Sequence, residues 1–476
     1  MAVSNLDELL RRYYKGPAIR ERFCEFLGLG DSPAAYVVGT NGCSDYSPPT
    51  SPDRLPEYLE AGWEVDRSLW DRDSLIADID LEYHSFDSPA AAWLDPERAF
   101  VSQQPVLDAT LRILAQWGVA PLVLMSGRGY HLVWAIRRES RAFRRLVQLG
   151  RVEPSLAAKY EQIRSPGGWS IEPDLGRAFA GLGLTMEFVG HRVLAASRRS
   201  CALPVQPAAI EVGPGANGRE IVSFDLSEYG DPLHTRHIRL PFSVYLKPRQ
   251  LQCTLGEEGV LRLLPIFEIP LAGMTPVEAI NTARNPEAVL ELSRYTSVEI
   301  PDASDTANSL IDAYEDSALA AFHQRFYEQR RGPPACATMP ASIGGRTVRI
   351  PGAPPCVEWV LEHPNDWLLK PAVLQHIARV LTALDWPPFD IAQLISGCYR
   401  TDCNWGDLWT RLDPSNRAIF YTRLFTGMIA TGVDPLIDLN CVSHREKGFC
   451  QIPACRSNLL PYRDALLEKM FRKEVR

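Results

Sequence analysis

Asp78 and Asp80 lie two apart inside an apolar run, Leu75-Ile76-Ala77-Asp78-Ile79-Asp80-Leu81. Successive side chains of a strand point to opposite faces, so a strand here puts both carboxylates on one face. Leu75, Ala77, Ile79 and Leu81 then share the other, available for burial. The two Cα atoms stand roughly 6.6 Å apart at the usual strand rise. Carboxylates at that spacing can converge on two cations about 3.5–4 Å apart, the arrangement of in-line phosphoryl and nucleotidyl transfer. Without cations the pair repels on a partly buried strand. A bare Asp-x-Asp also suits an ordinary surface strand end, so the rest of the chain decides.

A second strand-like run, Pro121-Leu122-Val123-Leu124-Met125, ends in Ser126-Gly127-Arg128-Gly129-Tyr130-His131, and Leu132-Val133-Trp134-Ala135-Ile136 follows at once. Two strands joined through a short glycine-bearing link predict a hairpin. The glycines allow close backbone approach to a ligand, and Ser126, Arg128 and His131 can offer donors to a polyphosphate. Alone, the segment equally suits a plain turn with a solvated Arg. A third element, Ile221-Val222-Ser223-Phe224-Asp225-Leu226, again sets an acid on an apolar strand. Cations interleaved with apolar residues follow it from Arg236 to Lys247. Three carboxylates for two divalent ions, with a cationic wall for triphosphate, is the charge balance nucleotidyl transfer needs.

In order and spacing these elements resemble the catalytic (small) subunit of the archaeo-eukaryotic primases. Asp78-Ile79-Asp80 matches that family's first motif and Ser126 to His131 its second. Phe224-Asp225 with Arg239-Leu240-Pro241-Phe242-Ser243 matches the third, and Leu9 to Tyr14 resembles how such subunits begin. The resemblance spans roughly residues 5 to 250. It implies Asp78, Asp80 and Asp225 as ligands of two Mg²⁺ or Mn²⁺ ions. It also implies Ser126, Arg128, His131, Arg239, Ser243 and Lys247 as nucleotide contacts. Two departures stand out. Tyr245 occupies a position usually held by His, and the stretch from Leu81 to Pro121 has no Cys and only His84. No zinc is therefore expected in the catalytic part.

Of eleven cysteines, seven lie at or after Cys336. The first residues, Met1 to Glu8, are polar and acidic without an apolar core, and no apolar run approaches bilayer length. A cytoplasmic, nucleoid-associated chain without a membrane partner is expected, where clustered thiols serve as ligands rather than disulfides. Cys441, Cys450 and Cys455 supply three thiolates at a spacing foreign to the usual zinc fingers. Cys356, after Pro354-Pro355 at an apparent helix start, is the favoured fourth; Cys398 and Cys403, nearer in sequence, are rivals read as structural. His444, between two of the proposed ligands, is a weaker rival, read first as a basic loop residue near phosphate or nucleic acid. This layout, over about residues 350 to 466, resembles the primase large subunit, whose four such cysteines hold a 4Fe–4S cluster. Zinc is the alternative occupant.

The net charge of −8 argues against a protein that coats DNA, while leaving room for a local basic groove. Candidate groove segments are Arg137 to Arg145, His191-Arg192 and Arg198-Arg199, the first also a solvated amphipathic helix face. The chain length predicts two or three domains. These are a catalytic part at 1–250, a helical connecting region and linker at 251–345, and a helical iron–sulfur part at 346–476. The expected fold class is α+β, with an RRM-like mixed sheet followed by helices. By resemblance, this is a nucleotidyltransferase, a primase fused from two subunits, with a single-stranded DNA template and NTPs or dNTPs. A replicative helicase or polymerase would be a further partner. Two alternatives stand beside it. One is a primer-dependent polymerase for gap filling or bypass. The other is a non-catalytic single-strand-binding replication or defence adaptor.

Overall fold

The run around Asp78 extends into a strand of twelve residues, the centre of a mixed sheet. The computed structural model describes residues 3–30, 32–164, 170–213, 219–329, 348–363, 370–398, 412–452 and 455–474. The end of the expected linker, 330–345, and Cys403 lie outside them. The strands are β1 (Val37–Thr40), β2 (Glu64–Ser68), β3 (Ser74–Ser85), β4 (Leu122–Met125), β5 (Gly129–Arg137), β6 (Val205–Gln206), β7 (Glu220–Asp225), β8 (His237–Arg239) and β9 (Ile269–Pro270). Six form a sheet in the order β6-β7-β3-β5-β4-β9, antiparallel except for β6 beside β7. Three form a small antiparallel sheet, β1-β2-β8. With the helices around them, the class is α+β.

The predicted hairpin is present as β4 and β5, but β5 begins at Gly129, so His131 sits on the strand rather than in the loop. The turn is tight because Ser126 N–H donates to Gly129 O at 2.8 Å. A Cβ on Gly129 would stand 1.8 Å from Leu81 O, so only glycine lets β5 start this close to β3.

The two faces of β3 are covered differently. Leu81 pairs with Tyr130 and Phe224 on its two sides. Tyr130 meets Phe100, from the helix Pro96–Gln116, edge to face at 5.3 Å. Phe224 lies under Gly190 of the helix Pro173–Ser197. The leucine face is therefore the core, buried under two long helices, and the acid face is turned away from them.

After residue 348 the described elements are helices: Pro355–Glu362, Pro371–Ala383, Pro388–Cys398, Pro414–Ala430, Cys441–Glu446 and Leu460–Glu474. One contiguous apolar cluster runs from Leu6 to Leu466, so catalytic part, connecting helices and C-terminal helices share a core. A buried polar knot ties the three together. Glu187, on the helix Pro173–Ser197, accepts from Arg423 Nε at 2.9 Å and lies 3.0 Å from His323 Nε2. Arg423 Nη1 also donates to the Tyr327 hydroxyl at 2.6 Å. Burial opposes ionisation of Glu187, yet Arg423 and His323 hold its pKa at about 2.

Glu187→Gln should cost about 3–5 kcal/mol, because Arg423 is left buried without its counter-charge. The depressed pKa means this contribution is present above the unfolded value of about 4.3 and is lost as pH falls towards 2. Urea melts of both proteins should therefore converge on acidification; parallel curves would remove the ion pair as the cause.

Candidate functional site

Strand pairing brings the predicted acids together. Asp80 pairs directly with Asp225 of β7 on one side and with His131 of β5 on the other. Directly opposed residues share a face, so these three form a row across the sheet, with Asp78 one pleat away. His131 Nδ1 stands 3.3 Å from Asp78 Oδ2. Burial lowers the His131 pKa, but Asp78, Glu268 and Asp80 together push it well above the ordinary value.

Burial, and then the charges of Glu82, Asp225 and Asp78, raise the pKa of Asp80 well above the carboxylate range against the pull of His131. Asp78 Oδ1 and Asp80 Oδ1 are both buried without a hydrogen-bond partner. Orphaned carboxylate oxygens on one face, beside a third acid, are the donor set a hard divalent cation takes.

Glu82 and Glu228 escaped the sequence reading. Glu82 continues the same period of two, and its carboxylate takes Arg128 in a two-point pair at 2.8 and 2.5 Å. Glu228, close to Asp78, Asp80 and Asp225, has its pKa raised by burial and by those charges. Its signal is faint, an acid three residues after Asp225 in the short 3-10 helix Ser227–Gly230.

The remaining expected contacts divide. Ser126 is buried, its hydroxyl 3.3 Å from Gly129 O at the hairpin turn. Arg239 is enclosed: it meets Glu64 at 2.9 and 2.5 Å and Glu268 at 3.0 Å, and its guanidinium stacks on Tyr245, 4.5 Å from the ring centroid. Ser243 is fully buried, and its hydroxyl accepts from Val65 N–H at 2.9 Å. Arg239 and Ser243 thus brace β2 from within. Lys247 is half-buried near Arg128, Glu82 and Asp80, with no ion pair within 4.0 Å among the described residues. Tyr245, at the departure noted above, is buried against Gly127 with its hydroxyl unpartnered.

Part of the suggested basic groove is charge-paired at the surface. Arg137 faces Asp302, Arg138 faces Glu172, and Arg145 faces Asp312 and Glu315.

A second site forms in the C-terminal part. Cys356 opens the helix Pro355–Glu362 and Cys441 opens Cys441–Glu446, whose first N–H groups are capped by the Asn440 side chain. Gly448 turns the chain through a left-handed conformation (φ 71°) ahead of Cys450, and Cys455 Sγ accepts from Ser457 N–H at 3.4 Å. All four thiols line one small cavity. Four thiols on one cavity fit a cysteine-ligated iron–sulfur cluster. Burial, and then the neighbouring cysteines, push the Cys356 thiol up to about 12. Beneath them Arg379 holds Asp434 and Asp438, and Lys447 pairs with Asp438 at 2.5 Å. Cys398 is buried in its own helix, away from the cavity lining.

The reading of His444 as a basic loop residue is corrected. It is helical and buried, and burial lowers its pKa to about 3, so its imidazole is neutral. Its ring packs on His376, which is also buried, with centroids 3.8 Å apart.

No helix among the described residues is long and apolar enough to cross a membrane. No family model, curated protein or solved structure matches the chain.

Proposed function

We propose that this chain is a primase-type nucleotidyltransferase that makes primers on single-stranded DNA, its C-terminal part assisting initiation. The observation that carries the reading is the row Asp225–Asp80–His131 at the centre of the sheet, with Asp78 on the same face. Asp78, Asp80 and Asp225 would hold two Mg²⁺ or Mn²⁺ ions, which when bound supply charge neutralisation and an acidified 3′-hydroxyl. Around them the chain's own groups do the positioning. His131, anchored by Asp78, sits beside the acids as a candidate donor. Arg128, fixed by Glu82, and Lys247 present further positive charge for triphosphate oxygens. Arg239, matched by Glu64 and Glu268, acts by holding that wall in place.

Cys356, Cys441, Cys450 and Cys455 would hold a 4Fe–4S cluster in the C-terminal part. Making a first dinucleotide requires two triphosphates and a template at once, and a second binding unit lowers that entropic demand. The test is product length on single-stranded DNA with Mn²⁺ and NTPs or dNTPs, without primer. Short products made from nothing are expected; synthesis only on a supplied primer would move the chain to the polymerase class.

Burial and the neighbouring carboxylates favour the protonated form of Asp80, which adds a pH dependence. Cation binding must displace that proton, so Mn²⁺ affinity should rise with pH above the ordinary carboxylate range. Flat affinity there, followed by Mn²⁺ electron paramagnetic resonance, would show that Asp80 is already ionised.

A further inference from the structure

We infer that the C-terminal part contains an alternative, mononuclear metal site for a borderline ion such as Zn²⁺, built on Cys356, His376 and His444. Among the described residues, these three bring their donor atoms within 4.8 Å of one another. Cys356 Sγ lies 3.4 Å from His376 Nε2, and the two imidazole rings meet at 52°. Both histidines are more than nine-tenths buried, at 4 % and 5 % exposure. His376 Nδ1 and both nitrogens of His444 have no hydrogen-bond partner. Buried polar atoms in folded proteins are almost always paired, so a missing partner is implied.

One thiolate and two neutral imidazoles select Zn²⁺ or Co²⁺ over Mg²⁺ or Ca²⁺. Zn–S and Zn–N bonds of about 2.3 and 2.0–2.1 Å put donors less than about 4.5 Å apart, so side-chain rotation suffices to close the set. Each ion bound releases the Cys356 thiol proton to solvent, while the imidazoles coordinate as they stand. Cys441 lines the same cavity three residues before His444 on the same short helix, a spacing that shares a helix face. It is the candidate for the fourth position. The mononuclear set therefore shares Cys356 and Cys441 with the proposed cluster and leaves Cys450 and Cys455 unused, so the two occupancies exclude each other.

The test is titration of full-length, cluster-free protein with Co²⁺. One equivalent should produce sulfur-to-cobalt charge transfer and intense four-coordinate visible bands. The bands should survive the Cys450→Ser/Cys455→Ser double variant. His376→Gln and His444→Gln should each weaken Co²⁺ binding at least tenfold. Bands that need Cys450 and Cys455 and ignore both histidines would overturn the site, as would the absence of stoichiometric binding. X-ray absorption of the Zn²⁺-loaded wild type needs no variant: two nitrogens with sulfur support the inference, and a sulfur-only shell refutes it. The cluster is tested separately: failure to form brown protein on iron and sulfide reconstitution would remove the cluster and leave the mononuclear site standing.

Discussion

Asp80→Ala should reduce nucleotide incorporation by about 10³-fold or more, equivalent to roughly 4 kcal/mol of transition-state stabilisation. Asp80 stands between Asp225 and His131, so its loss removes the carboxylate that both flanking strands converge on. The same substitution should leave the metal-free fold as stable as before, or more so. Burial, Glu82, Asp225 and Asp78 raise the folded pKa of Asp80 above its unfolded value. A raised carboxyl pKa costs stability as pH climbs through that window, and alanine removes the cost. Mn²⁺ should therefore raise the melting temperature of the wild type but not of the variant. Lost activity with an intact metal-induced shift would assign the cation to other residues; retained activity would end the proposal. Asp80→Asn, which keeps the side-chain shape, separates charge from packing.

What could be read in advance was local. Period-two alternation made β3 and the common face of Asp78 and Asp80 readable from seven residues, and the same rule applied one step further would have reached Glu82. The pairing of Asp80 with His131 and Asp225 spans more than fifty residues on one side and more than a hundred on the other; motif order suggested it, and no local pattern encodes such a register. Arg239 and Ser243 illustrate the opposite failure. Their neighbours read as a basic wall, yet β8 pairs with β2, and this brings Glu64 onto Arg239. His376 sits in a helix whose sequence is apolar around it, Val373-Leu374-Gln375-His376-Ile377, and only the packing against His444 reveals it. His444 carried a usable signal, its spacing of three from Cys441, which the nearby Arg445 and Lys447 disguised as a basic loop.

Cys356→Ser should yield colourless protein from an anaerobic preparation in which the wild type is brown, and it should loosen one end of the C-terminal part. Cys356 and Cys441 bound to one cluster close a long loop, worth about 4–5 kcal/mol of chain entropy by analogy with a disulfide. That is comparable to the net stability of a small domain. The loss should be uneven, because the helix Pro414–Ala430 has its own anchor: Arg423 is held by Glu187 in the shared core. Hydrogen exchange should accelerate at 348–362 and 441–474 while 414–430 stays protected. Primer-free synthesis should fall while extension of a supplied primer persists, since Asp78, Asp80 and Asp225 lie in the other part of the fold. Uniform acceleration across all C-terminal helices would mean that the cluster supports the whole part rather than its cysteine end. A wild type that is colourless and contains zinc would instead favour the mononuclear set of Cys356, His376 and His444, with Cys450 and Cys455 left unused.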